Sequence, residues 1–571
     1  MRPIHRSLAP YGAAVAVAFL LFSGAAARAQ LLPPPDPVGN PTTPEKAQLG
    51  KVLFWDEQIS STRTVACGTC HIPTVGGEDP RSGVDPLAVH PGFDGIFDTD
   101  DDVLGSPGVP LNDASGLYGL STVFGMVPQV TGRRTISPVN AAYGPELFWD
   151  GRAPGEFTDP VSGLVVPGLE TGAALESQVV APPVSDVEMA HVGRDWLDVV
   201  ARIDASVPLA LSPEVQQELL DYIGGRTYAQ LFEEAFGSAG ITAPRVAEAI
   251  AAYERTQFTD ETPFDEFLGQ GTGLTSEEIA GAVVFGSVAQ CDNCHLQPLL
   301  SDGTFRYTGV RPREEDIGRE EVTMDPADKG KMRVPVLRNV ELRAPYMHDG
   351  RFDTLEEVVE FYDRGGDFDT ENNEVDPLGL TAQQKSDLLA FLRRPLTDPR
   401  LAAGLPPFDR PTLYSESSRV PVVTGSGIPG SGGFTPLVVA LEPALLGNPS
   451  FTVGVWSALG AAGARLVIDD HDPGLTLPAP ASGDLVDEQI VLQGSGAGAG
   501  FGAVSTALPT DPSLRGADWF GRWYVVDPGA AGALAVSPLF RFETFGIQQQ
   551  TAIFDDGFES GDTSAWDSTV N

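Results

Sequence analysis

Apolar positions recur at helical spacing in two separated blocks, then give way to short alternating runs towards the C-terminus. Thr43-Pro44-Glu45 places a capping hydroxyl before proline at the first helical position, which predicts a helix running into Leu49–Trp55. Ser212-Pro213-Glu214 opens a run through Ile223, and Arg245–Phe258 carries Val246, Ile250 and Tyr253 on one face. The second block, from Thr275 to Arg394, holds three capping boxes, Thr275 with Glu278, Thr354 with Glu357 and Thr381 with Gln384. Residues 78–132, rich in Gly, Asp and Pro, predict loop. Beyond Pro395 the runs Phe434–Leu441, Arg465–Ile468 and Trp523–Val526 alternate with turn residues, the pattern of a small β-sandwich. The expected fold is mainly α, in two related domains, followed by an all-β sandwich-like accessory domain.

The N-terminus changes where this chain belongs. Arg2 and Arg6 precede an apolar run from Tyr11 to Phe22 and a small-x-small site at Ala27-Arg28-Ala29, the form of a cleaved secretory leader. A retained anchor is the alternative, and no later stretch is apolar and long enough to span a bilayer. The expected location is the periplasm, the cell envelope or the medium. The expected boundaries are 1–29 for the leader, 30–262 and 263–408 for the two helical domains, 430–548 for the β domain and 549–571 for an acidic flexible tail. Asp555–Trp566 in that tail resembles an ending found on various exported bacterial proteins. A formal net charge of -42 over 571 residues repels a phosphate backbone, so nucleic acid is excluded as a partner, and a basic small protein would be attracted.

Cysteine usage is the most informative feature. An exported chain of this size has only four cysteines, and all fall in one repeated pattern, Cys67-Gly-Thr-Cys70-His71 and Cys291-Asp-Asn-Cys294-His295. C-x-x-C-H sets two thiols to bond a heme's vinyl groups, with the adjacent histidine on the iron. Zinc would want a further Cys or His pair nearby, and a redox dithiol would sit in an α/β setting. Two covalently attached hemes c are therefore expected on Cys67, Cys70, Cys291 and Cys294, with His71 and His295 as iron ligands.

With these motifs in place, the chain from Thr42 to Arg394 resembles the bacterial diheme cytochrome c peroxidases, and within them the MauG-type enzymes. The resemblance rests on Leu53-Phe54-Trp55, Asn140-Ala-Ala-Tyr143, Phe148-Trp149-Asp150-Gly151-Arg152, Leu175-Glu-Ser-Gln178, Val187-Glu188-Met189, Val334–Asn339 and Ala344–Gly350. It implies that the first heme is the peroxide site, with Gln178 and Glu188, ten residues apart, on its distal side. A carboxylate there moves the proton between peroxide oxygens and an amide orients them. It implies that Trp149 lies between the hemes as an electron relay. It also implies that the second heme takes Tyr362, fourteen residues after His348, as a second ligand, where other members have methionine. Tyr362 also shares a helix face with Leu355, Val358 and Val359, as a packing residue would. Met347, Met332 and Met324 remain alternative ligands.

His90, nineteen residues after His71, is an alternative ligand for the first iron or an ordinary loop histidine. Calcium is a further candidate cofactor. The resemblance implies a site between the hemes, where the family's Asn position is Arg134 and Arg343 and Pro345 offer carbonyls. Separately, Asp94, Asp98, Asp100 and Asp102 alternate around Gly95 as calcium ligands would, or as a solvated acidic loop. The expected function is hydrogen peroxide reduction at the first heme, with electrons passing through the second from a small c-type cytochrome or another redox protein. The alternatives are a MauG-like oxidase acting on a protein or organic substrate, and an electron-transfer cytochrome without catalysis.

Overall fold

The structure is a computed structural model that describes residues 31–479 and 485–546; the expected leader and acidic tail lie outside the described residues. The helix Pro44–Trp55 starts as its sequence predicts, with the Thr43 side chain accepting from the Lys46 amide and Pro44 in the first turn. It crosses the helix Ala243–Thr256 at Gly50, where a Cβ would lie 1.9 Å from the Ala249 carbonyl oxygen. Only glycine permits so close an approach. The second half repeats the device. Ser276–Val283 crosses Ala382–Leu392 at Gly281, where a Cβ would lie 1.9 Å from the Asp387 oxygen. All three capping boxes form at the predicted residues.

Each half wraps its crossing helices in a core of its own. Leu49, Leu53, Trp55, Val246 and Ile250 belong to the first, and Phe264, Phe285, Phe361 and Phe391 to the second. One start signal misleads: the helix expected from Ser212 begins at Gln217. The Glu214 carbonyl instead accepts from the Thr412 amide at 2.9 Å, and Gln216 binds the Arg410 carbonyl, so the chain here serves a distant segment. Helices are short: the longest described has 14 residues, and among the described residues none is long and apolar enough to cross a membrane. Long irregular stretches separate them, so the first part is less uniformly helical than its periodicity predicts.

The duplication extends into irregular backbone. Asn140 and Asn339 both adopt left-handed φ, 65° and 64°, and each opens a single 3-10 turn. Each turn leads to a tight loop, one with Phe148 at φ 67° and Gly151 at 76°, the other with Met347 at 74° and Gly350 at 75°. Trp149 and His348 occupy equivalent positions in these loops. Both asparagines meet a single residue, Thr259, whose hydroxyl accepts from Asn140 Nδ2 at 2.9 Å and Asn339 Nδ2 at 3.2 Å.

The C-terminal part contains two antiparallel sheets. One orders Gly500–Thr506, Phe451–Ala458 and Leu437–Ala440; the other is six-stranded around Asp518–Val526 and Gly463–Asp469. Phe451, Val453 and Val455 from the first and Leu466, Ile468, Trp523 and Phe540 from the second share one core. By the two-residue period of a strand, Thr452, Gly454 and Trp456 point the other way.

Candidate heme sites

Cys67–Cys70 forms a single helical turn that ends at His71. The His71 Nδ1 lies 3.1 Å from the Gly77 carbonyl oxygen, which fixes the proton there and leaves Nε2 as the nitrogen with a free lone pair. His295 repeats this arrangement, with Nδ1 2.8 Å from the Leu300 oxygen. Burial pushes both imidazoles down in pKa, towards the neutral form that binds a metal. His71, Cys67 and Cys70 line a cavity of about 570 Å³, and His295, Cys291 and Cys294 line a second of about 530 Å³.

The donor sets fit heme and not the alternatives. All four cysteines are free of disulfides. Burial pushes the Cys67 and Cys291 thiols up to about 12, the reverse of a reactive redox pair. Among the described residues the only trio of potential metal ligands lying within 4.8 Å is Asp469, Asp470 and His471, far along the chain from either motif, so no zinc set forms around the cysteines.

The first cavity brings together Gln178, Glu188, Trp149 and His90 with the first motif. Gln178 lies in the last turn of the helix Ala174–Val179, and Glu188 follows a 3-10 turn at Pro182–Val184. The long segment 155–174 before them contributes nothing to the lining. It packs Phe157, Leu169 and Ala173 into the first core away from the cavity, and the Gly39 amide donates to the Gly168 oxygen at 2.8 Å. Burial pushes the Glu188 carboxyl up in pKa, partly opposed by the Arg152 guanidinium, which stacks 3.7 Å over the Phe148 ring. His90 pairs through the strand Val89–His90 with Val103–Leu104, and its buried Nδ1 makes no hydrogen bond.

Tyr362, Met347 and Met332 line the second cavity. Met324, 80% exposed and outside that lining, drops out as a ligand. Burial holds the Tyr362 phenol protonated, so its oxygen would need a cation at hand to ionise. Trp149 lines both cavities, donates from Nε1 to the Arg134 carbonyl at 2.8 Å, and meets the His348 ring edge-on at 6.2 Å.

Sequence reasoning used His348 only as a motif landmark and missed the charged wall around it. His348 lines both cavities; its buried Nε2 makes no hydrogen bond and stands 4.0 Å from Asp316. Arg133 bridges Asp150 at 2.5 Å and Asp316 at 2.6 Å, and Arg311 contacts Asp349 at 2.6 Å. The repeated Asp-Gly-Arg after Trp149 and His348 was the available signal.

The calcium locus at Arg134 is crowded by positive charge. Arg134 pairs with buried Glu78, and Arg343 adds a second guanidinium, so a cation there would meet like charge. In the acidic loop, Asp94 Oδ1 accepts from the Ile96 amide at 2.7 Å and Asp102 Oδ2 from the Asp98 amide at 2.9 Å.

Residues 44–272 match the family model described as di-haem cytochrome c peroxidase. The methylamine utilization protein MauG of Methylorubrum extorquens is 30% identical over 372 residues, 64% of this chain and 82% of that protein. A cytochrome-c peroxidase, IdrP1, from Pseudomonas sp. (strain SCT) is 28% identical over 462 residues, 74% of this chain and 98% of that protein. A solved MauG-like protein associated with microbial copper homeostasis superposes with a TM-score of 0.48 at 27% identity, covering 66% of this chain and 97% of that one. With two C-x-x-C-H motifs each facing a cavity, and MauG of Methylorubrum extorquens 30% identical and matched over most of its length, the chain belongs to the di-haem cytochrome c peroxidase family, which implies two c-type hemes.

Proposed function

We propose that this protein is an exported oxidoreductase that reduces hydrogen peroxide in the first cavity, with electrons from the second site passing by Trp149. The observation that carries the reading is a buried carboxyl, Glu188, in the cavity of the first Cys-x-x-Cys-His motif. When bound, the first heme supplies an iron that takes up peroxide, and the second supplies an electron store. Reducing peroxide to two waters needs two protons and two electrons. In its carboxylate form Glu188, made a stronger base by burial, can take a proton from one peroxide oxygen and return it to the other. Gln178 offers an amide to orient the molecule, and Phe54, Val65, Val130 and Leu175 exclude bulk water. Trp149, touching both cavities and His348, is the aromatic bridge between them. The electron donor is a small c-type cytochrome or a similar basic redox protein, drawn by the acidic surface. Calcium has no part in this proposal. The domain boundaries read from the sequence are proposed unchanged.

Glu188→Gln should leave both heme spectra nearly intact and slow the reaction with peroxide by about 10²-fold or more, the usual worth of a positioned acid–base group. Reaction at the parent rate would remove Glu188 from the mechanism. One observation favours a second reading. Tyr362 lines the second cavity, as an oxygen ligand of a MauG-like oxidase acting on a protein or organic substrate would. Poor turnover with reduced cytochrome c, beside rapid reaction of the fully oxidised protein with peroxide, would select it.

A further inference from the structure

Residues 106–131 form a hairpin-like tongue that connects the C-terminal β part to the first cavity. Its two arms join through the Gly108 amide to the Gln129 oxygen at 2.9 Å and the Gln129 amide to the Val109 oxygen at 3.1 Å, with bridges at Pro107–Val130 and Asn112–Tyr118.

The base of the tongue grips the segment that carries Glu188. The Val109 amide donates to the Val187 oxygen at 3.2 Å, Gln129 Nε2 to the Asp186 oxygen at 2.7 Å, and the Val192 amide to the Asn112 oxygen at 2.9 Å. Gly108 lies so close that a Cβ would fall 2.0 Å from the Val187 oxygen and 2.7 Å from the Glu188 Cα. The tongue also supplies cavity wall, through Gly108, Phe124 and Val130. Phe124 packs on His90 at 5.8 Å and on Phe97 at 6.2 Å.

The tip is held by the β part. Tyr118 and Met126, both buried, cluster with Val439, and the Tyr118 hydroxyl donates to Glu442 at 3.2 Å. The Thr452 hydroxyl donates to the Gly116 oxygen at 3.0 Å. At Gly454 a Cβ would lie 2.5 Å from the Met126 sulfur, and at Gly125 one would lie 2.7 Å from the Trp456 ring. The strand Phe451–Ala458 thus uses one set of alternate residues for its own core and shapes the other set, Thr452, Gly454 and Trp456, to receive the tongue.

We propose that the β part is the outer anchor of the tongue, and that Tyr118, Met126, Gly454 and Trp456 are positioning residues that fix Glu188 and set the cavity wall at Phe124. The anchor therefore selects for small peroxides over bulky organic hydroperoxides. The selectivity rests on the peroxide reading above; the anchoring does not.

The test uses the full-length diheme protein with Gly454→Val and, separately, Trp456→Ala. Valine suits a strand but fills the space of the Met126 sulfur, so it dislodges the tongue without weakening the strand. Amide hydrogen exchange over 112–126 should quicken at least tenfold in both variants. The rate with cumene hydroperoxide relative to hydrogen peroxide should rise at least fivefold, and the pH at which the hydrogen peroxide rate is half-maximal should move. Parent-like exchange in both variants would overturn the anchor. Faster exchange with an unchanged hydroperoxide ratio and pH profile would overturn the positioning role. A parent protein inert to both peroxides would defeat the peroxide reading alone, since the exchange result stands independently.

Discussion

At the scale of single residues, Glu188 makes a prediction in pH. Its carboxyl is held above the usual carboxylate range by burial, and Arg152 is the charge opposing that shift. If its carboxylate form accepts the peroxide proton, the rate should fall as the pH drops through a value above 4.5. Arg152→Gln removes the favourable charge and should move that acid limb to higher pH, measured from rates of reaction with peroxide between pH 4 and 9. Tyr362 and Met347 make a second prediction, because both line the second cavity. Tyr362→Phe should raise the midpoint of one heme in a redox titration, whereas Met347→Leu should leave both midpoints near the parent values. The converse result would make methionine the ligand. The two Cys-x-x-Cys-His motifs were legible in the sequence because their residues are contiguous. His348 was much less so, since its loop is held by backbone far along the chain, the Arg134 amide donating to the His348 oxygen at 2.7 Å.

At the scale of elements, the two helix crossings are the most sensitive points. Gly281→Ala places a methyl 1.9 Å from the Asp387 oxygen and should destabilise the second half by about 1–3 kcal/mol or more, as overpacking does. Gly269, inside the helix Pro263–Gln270 with no atom within 4 Å of a built Cβ, is the internal control. Gly269→Ala should be neutral or stabilise by about 0.5–1 kcal/mol through helix propensity. Thermal melts of the two variants compare them directly. Capping boxes were readable because a cap is satisfied within four residues. The start expected at Ser212 failed for the opposite reason: the groups that claim that backbone come from residues 410–412.

At the scale of the molecule, buried acids join the parts. Glu57 accepts from the amides of Tyr414 and Ser415 and is pushed up to about 8 by burial. Glu442, facing Arg63, Tyr118 and Tyr414, is also pushed up by burial to about 8. Each keeps its proton in the folded chain where the unfolded chain has lost it. The stability they contribute is complete below about pH 4.5 and drains away as the pH rises towards 8, at up to about 1.4 kcal/mol per unit per group. The melting temperature should therefore fall between pH 5 and 8, and Glu442→Gln should flatten that slope. Sequence grammar marked the β part as separate, but nothing local told that one of its strands has two buried faces or that a loop more than 300 residues earlier, at Tyr118, fills the second. Thr259, shared by the equivalent asparagines of both halves, carries a consequence of another kind. Electron tunnelling decays exponentially with separation, so a hinge between the two sites would make the transfer rate fluctuate with domain motion. That hydroxyl, together with the ion pairs Arg133–Asp316 and Arg319–Glu146, ties the two halves at several points and leaves no free hinge between them. Transfer across Trp149 should then be ungated, with a rate that does not change when glycerol or sucrose thickens the solvent.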